Sequence, residues 1–187
     1  MRRGKLALTL PLVLLVAACD ETPSPVAPPE PGAPAFHEES SRLTRKVQMR
    51  DVCDPETFNA AIGPGTCVGR RGGMTFETFL NRLQKNQTVG PWRFTPEEIR
   101  VEVGTTLPVI NIGGEVHTFT EVERFGGGVV PILNELSGNR RLAPECFAPT
   151  VEFVPAGERT THTFDHEGRV RFMCCIHPWM RAVVRVR

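Results

Sequence analysis

The sequence predicts a mainly β protein: a sandwich of short strands, preceded by a small helical segment and interrupted by one long loop. From Trp92 onward, apolar and charged residues alternate with a period of two, which is typical of half-buried strands. Further short apolar segments follow, separated by turns, in a chain that contains 17 Gly and 17 Pro. Before Trp92 the apolar residues repeat with the period of a helix.

The chain begins with a segment typical of a bacterial export signal. Basic residues precede an apolar run from Leu6 to Ala18, which ends at Cys19. This run is shorter than the about 20 apolar residues of a membrane-spanning helix. We therefore predict a signal peptide over residues 1–18. Because small residues precede Cys19, the junction resembles a lipobox, which implies that Cys19 carries a lipid. The alternative is a soluble secreted protein.

Residues 19–43 are rich in Pro and Ala and contain few large apolar side chains. Such a segment cannot bury a core, so we predict an extended tether. The whole chain holds 22 basic and 21 acidic residues, and removal of the signal leaves 19 against 21. This balance lacks the excess of basic residues that is typical of nucleic-acid-binding proteins. The predicted location is outside the cytoplasm, on a bacterial membrane facing the periplasm or the cell exterior, held by the lipid on Cys19.

Residues 44–91 are predicted to form a small helical segment. Asp54 followed by a proline is a typical helix start. A second, amphipathic helix is indicated by four apolar residues at helical spacing. They are Phe76, Phe79, Leu80 and Leu83.

Residues 92–187 are predicted to form the sandwich. Strands are expected at 99–103, 107–111, 117–122, 151–154, 160–164, 170–174 and 182–186. Residues 125–150 interrupt this regular succession of short strands and are predicted to form a long loop with a helical turn near 132–136. Long ordered loops often carry function.

The strongest chemical signal lies near the C-terminus. Cys174, His177 and Met180 offer a thiolate, an imidazole and a thioether, with two residues between successive side chains. Copper that changes oxidation state is held by such a soft set together with a second imidazole. His117 is the candidate for that imidazole, because it begins an apolar strand after a Gly-containing turn.

This segment resembles the copper-binding end of the cupredoxins, particularly the amicyanin and plastocyanin-like group. The matching residues are Phe172, Cys174, His177, Pro178, Met180, Val184 and Val186, with Ala182 in place of the usual Gly. Upstream, Asn111 stands six residues before His117, and Phe94, Pro96, Val101, Val103 and Gly104 match the family's opening strand. The resemblance covers residues 92–187 and implies a Greek-key β-sandwich with a single type 1 copper.

The resemblance also implies roles for individual residues. His117, Cys174, His177 and Met180 would be the copper ligands, with Met180 axial. Asn111 would hold the Cys174 side of the site by hydrogen bonds. The protein would be an electron carrier rather than an enzyme. It would exchange electrons with a redox protein that docks near His177, Pro178 and Trp179.

Other functions use similar residues. A copper-trafficking or copper-storage lipoprotein would exchange the metal, and a structural cupredoxin module would hold none. Copper oxidases and nitrite reductases need further copper sites, usually marked by His-x-His pairs, which this sequence lacks. A zinc site would use Cys146, Cys174, Cys175 and His177, but zinc has no use for a methionine.

The remaining cysteines are expected to form disulfides in an oxidising compartment. Cys175 follows the proposed ligand directly, and successive side chains on a strand point to opposite faces, so Cys175 should face away from the metal. With Cys53, Cys67 and Cys146 it can form three pairings. We favour Cys53–Cys67, which closes a short loop, and Cys146–Cys175, which would fix the 125–150 insertion beside the ligand loop.

Overall fold

The fold was analysed in a computed structural model, which describes residues 46–69 and 72–187. The predicted signal peptide, the lipidated Cys19 and the tether of residues 19–43 lie outside the described residues. Within the described part of the chain, no helix combines the length and the apolar character needed to cross a membrane.

The protein is mainly β, as predicted. In the part of the chain that the structure describes, the strands are β1 (Val47–Arg50), β2 (Arg93–Thr95), β3 (Glu98–Val101), β4 (Thr106–Asn111), β5 (His117–Thr118), β6 (Thr120–Val122), β7 (Phe153–Val154), β8 (Arg159–Thr163), β9 (Gly168–Met173) and β10 (Arg181–Val186). The helices are α1 (Pro55–Ala61), α2 (Phe76–Asn86), α3 (Pro131–Leu136) and a 3-10 turn (Pro144–Phe147).

Two four-stranded sheets form the sandwich. One has the order β2-β1-β4-β8 and the other the order β3-β10-β9-β6, while β5 and β7 make a separate pair. Alternating positions of the strands point into a shared core that includes Met49, Phe94, Val109, Phe172 and Val184. This period-two burial is the reason that the strands of the second half could be predicted.

Strand β1 was not predicted. It lies inside its sheet, antiparallel to β2 and parallel to β4. Only Val47 and Met49 face the core, and a strand of four residues is too short to show a clear period. Residues 44–91 therefore supply an inner strand of the sandwich in addition to the predicted helices.

Both helices predicted in this segment are confirmed. The Asp54 side chain accepts a hydrogen bond from the Thr57 N–H at 3.1 Å and caps α1. In α2, Phe79 and Leu83 are buried. A disulfide between Cys53 and Cys67 closes the loop that contains α1.

The 125–150 insertion is ordered and fixed to the ligand loop. The N–H of Val129 donates to the Cys175 carbonyl oxygen at 2.7 Å. The Asn134 side chain of α3 bonds both the N–H and the carbonyl oxygen of Gly128, at 2.7 and 2.8 Å. A disulfide joins Cys146 to Cys175 with a Cα–Cα distance of 5.3 Å, which is typical of such bonds.

We expect non-reducing peptide mapping of the native protein to recover Cys146 linked to Cys175 and Cys53 linked to Cys67. The expectation follows because each pair already lies at bonding distance in the fold. A sample reduced in denaturant serves as the control that identifies each linked peptide. Alkylation of Cys146 in the native protein, or its recovery with Cys53, would contradict this pairing.

Candidate metal centre

Cys174 lies between two buried histidines. Its sulfur is 3.7 Å from Nδ1 of His117 and 3.7 Å from Nδ1 of His177. All three side chains are buried, and their potential ligand atoms lie within 4.8 Å of one another. Cys174 is also the free cysteine among the residues that the structure describes.

These spacings fit a single metal ion. A thiolate sulfur at about 2.3 Å and an imidazole nitrogen at about 2.0 Å from a first-row metal lie roughly 3.7 Å apart when the angle between the bonds is about 120°. Both sulfur–nitrogen distances have that value. The donor set of one thiolate and two imidazoles suits copper.

The ends of two strands and one tight turn place these residues. His117 begins β5 and pairs with Val154 of β7. Cys174 follows β9 directly, and its N–H donates to the Met180 carbonyl oxygen at 3.0 Å. The N–H of Met180 in turn donates to the carbonyl oxygen of His177 at 2.9 Å. These bonds bring the backbones of Cys174, His177 and Met180 together in one turn, and the side chain of Met180 is fully buried.

Cys175 faces the other way, as predicted from the strand alternation. It belongs to a second buried cluster with Val122, Met173 and Cys146, whereas Cys174 lies in the main core. Its disulfide occupies the sulfurs of both Cys146 and Cys175. The alternative zinc site, which needs both sulfurs, is therefore not formed.

Asp51, just after β1, holds the outer nitrogen of His117. Its Oδ2 lies 2.9 Å from His117 Nε2 and accepts the Glu115 N–H at 3.0 Å. Its Oδ1 accepts the N–H groups of Gly114 at 2.9 Å and Cys53 at 3.1 Å. Because a carboxylate can only accept, Nε2 carries a proton, which leaves Nδ1 as the nitrogen that can lose its proton and bind a metal beside Cys174.

Charge keeps this arrangement in one protonation state. Burial alone would raise the pKa of Asp51, but the His117 hydrogen bond and charge and the two loop N–H groups lower it to about 2. Burial disfavours the charged form of His117, yet its bonds to Asp51 and Cys174 raise its pKa to about 9. Burial opposes ionisation of Cys174 too, but the two histidines hold the pKa of the thiol well below its usual value. A thiolate is the form that binds metal.

Two glycines allow the loop to approach Asp51. A Cβ atom on Gly113 would lie 2.0 Å from Asp51 Oδ2, and one on Gly114 would lie 2.6 Å from the Cys53 sulfur. The Gly-Gly pair ahead of His117 is thus required by the close packing of this loop on the residues that follow β1.

Glu115 occupies the corresponding position beside His177. Its Oε2 accepts the Trp92 Nε1–H at 2.5 Å and lies 3.6 Å from His177 Nε2. Burial raises the pKa of Glu115, an effect that His177 and Trp92 oppose. Neither the carboxylate of Asp51 nor that of Glu115 was predicted from the sequence, although Glu115 lies two residues before His117.

His177 does not lie at the protein surface. Its exposed fraction is 2 %, and Pro178 is also buried. The ring of Phe79 in α2 meets the imidazole edge-on at 6.5 Å between centroids, and the ring of Trp179 does so at 5.5 Å. The predicted docking patch at His177, Pro178 and Trp179 therefore lacks an exposed imidazole, because the N-terminal helices cover it.

Asn111 supports the His117 side of the site rather than the Cys174 side that the resemblance implied. Its Nδ2 donates to the carbonyl oxygens of Glu115 at 2.7 Å and Val154 at 2.9 Å. These bonds fix the loop leading to His117 against β7. On the cysteine side, the N–H of Thr118 points at the Cys174 sulfur at 3.4 Å.

Comparison with solved structures finds cupredoxins. A purple cupredoxin from Nitrosopumilus maritimus is 21% identical over 53% of this chain and 86% of its own, with a TM-score of 0.39. An amicyanin variant in its Cu(I) form is 23% identical over 51% of this chain and 73% of its own, with a TM-score of 0.35.

A copper-containing nitrite reductase from Thermus scotoductus SA-01 is 23% identical over 51% of this chain but only 20% of its own, with a TM-score of 0.35. At TM-scores below 0.5, these similarities decide nothing about activity. No protein-family model matches the sequence, and no curated protein does.

Proposed function

We propose that this protein is an exported electron carrier that binds one copper ion through His117, Cys174 and His177, with Met180 as a weak axial ligand. The observation that carries the proposal is the Cys174 sulfur held 3.7 Å from Nδ1 of both histidines in a fully buried site. Lipid on Cys19 would keep the carrier at a bacterial membrane.

A copper ion bound there would supply one-electron chemistry between Cu(I) and Cu(II). The protein's own residues would keep the ligand positions unchanged. Asp51 fixes the ring of His117, Glu115 faces the outer nitrogen of His177, and the N–H of Thr118 points at the cysteine sulfur. Ligands that are already oriented need little rearrangement when the charge of the site changes.

Burial of the ligands favours a resident ion over a transported one. His117 and Cys174 have no exposed surface, and His177 is 2 % exposed. A trafficking or storage protein has to release its copper to a partner, which requires access to the ligands. In a carrier, electrons would pass to a redox partner that docks near His177 and Pro178 at the partly exposed Trp179, without contacting the metal.

The test is the optical spectrum of the full chain loaded with Cu(II). We expect an intense visible band from charge transfer between the thiolate and Cu(II), which disappears on reduction and returns on reoxidation. Loading with Zn²⁺ is the control and gives no such band. Rapid loss of copper to a soluble chelator would instead support trafficking, and absence of the band would reject the carrier.

Met180→Leu is expected to leave copper bound and to raise its reduction potential. Met180 would supply copper with a weak thioether ligand that favours Cu(II), so its removal would favour Cu(I). Voltammetry of the copper protein measures the change. Met173→Leu is the matched control, because Met173 is equally buried but packs in the cluster of Cys175. Equal shifts in the two variants would show that Met180 is not an axial ligand.

A further inference from the structure

A largely apolar pocket of about 430 Å³ lies over the edge of His177. The N-terminal helices form one wall and the 125–150 insertion forms the other. Its apolar lining includes Ile62, Phe76, Leu80, Ile132, Leu133 and Ile176. The two additions to the sandwich therefore meet above the candidate metal centre and leave a space between them.

Covalent and hydrogen bonds fix both walls. The Asn59 side chain of α1 bonds the N–H and the carbonyl oxygen of Cys67, each at 2.9 Å, and Cys67 is joined to Cys53. The insertion is joined to Cys175 by Cys146. Side chains on such supports need little reordering when a ligand enters, so the pocket is preformed.

The polar side chains that line the pocket, among the described residues, are Thr66, Glu115 and His177. Glu115 and His177 are buried, and they belong to the candidate metal centre. Any occupant that is in contact with both therefore lies directly beside a proposed copper ligand.

We propose that this pocket binds a small, uncharged aromatic molecule carrying a hydroxyl group. The volume suits one or two rings and is within the usual range of small-molecule sites. The apolar walls disfavour a charged ligand because they cannot solvate it. The hydroxyl can donate to the carboxylate of Glu115, which lines the pocket and can accept hydrogen bonds in addition to the one from Trp92.

A protein partner fits this site less well. Stable protein interfaces extend over a broad surface, whereas this pocket is a single concavity of about 430 Å³, a usual size for small-molecule sites. The inference extends the proposed electron carrier, because it places a ring beside His177. It can be tested without copper, so the two proposals can fail separately.

The experiment titrates 2-naphthol into the full-length chain, both metal-free and as the diamagnetic Cu(I) protein, and follows backbone amide NMR shifts. We expect shifts confined to the pocket, with Ile132 and Ile176 among the largest. 2-Methoxynaphthalene cannot donate a hydrogen bond and should bind about 10- to 100-fold more weakly. Tighter binding of the 2-naphthylmethylammonium cation would overturn the proposal of an uncharged ligand.

Ile132→Glu places a charge at the opening of the pocket, where Ile132 is 54% exposed, so the fold should tolerate it. It should weaken 2-naphthol binding by about tenfold or more. Val103→Glu is the control, because Val103 is 46% exposed and does not line the pocket. The proposal would be overturned if the two variants bound 2-naphthol with equal affinity, or if the NMR shifts lay outside the pocket. It would also be overturned if the chain self-associated and shielded these residues.

Discussion

Replacing Cys174 with alanine is expected to abolish the intense visible band of the copper-loaded protein, whereas replacing Cys175 leaves it. The band requires a sulfur–copper bond, and only the sulfur of Cys174 lies between the two histidines. Cys175 faces the second cluster and is bonded to Cys146. The measurement is the absorbance of each variant after addition of one equivalent of Cu(II).

The control for Cys174→Ala is the double variant Cys146→Ala with Cys175→Ala, which removes the disulfide without leaving a free thiol. It should retain the band, with lower stability toward heat because the insertion loses its covalent attachment. If the band survived Cys174→Ala and disappeared from the double variant, copper would be bound by the sulfur of Cys146 or Cys175 and not by that of Cys174.

Asp51→Asn is expected to weaken copper binding by about 10- to 100-fold, the usual effect of removing the partner of a ligand histidine. Each Asp51 oxygen accepts two hydrogen bonds. In whichever direction the amide is turned, its NH₂ group faces two donors. The metal-free variant should also lose stability, at about 1–3 kcal/mol for each buried donor left unpaired.

Asp54→Asn is the matched control, because it makes the same change three residues along the chain. Asp54 caps α1, and asparagine caps helices equally well. Competition with a copper chelator gives the affinity, and urea denaturation gives the free energy of unfolding. If Asp51→Asn binds copper as tightly as Asp54→Asn, Asp51 does not orient His117.

The sequence predicted the parts of the molecule that depend on local pattern. Strands β3 and β4 bury alternate side chains, and the Cys174–Met180 turn is determined by short spacings within one segment. The helical turn predicted near 132–136 is α3, which begins at Pro131, and proline favours the first turn of a helix. Each of these features is encoded by neighbouring residues.

The contacts that complete the site come from distant parts of the chain and left no such pattern. Asp51 meets His117 across 66 positions, and Trp92 meets Glu115 across 23. Burial of His177 depends on how α2 lies against the ligand turn, which the periodicity of α2 does not specify. The aromatic residues of α2 predicted that one face of this helix packs against the core. They did not predict that this face, through Phe79, also contacts the ring of His177.

The position of β1 inside its sheet means that the sandwich cannot be cut out of the chain at residue 92. Such a fragment would lose the strand that joins β2 to β4, exposing unpaired backbone on both and inviting association between copies. It would also lose the carboxylate of Asp51 while keeping all four proposed ligands. A truncated protein of this kind would thus retain the sequence motif of a copper protein without the support that orients its first histidine.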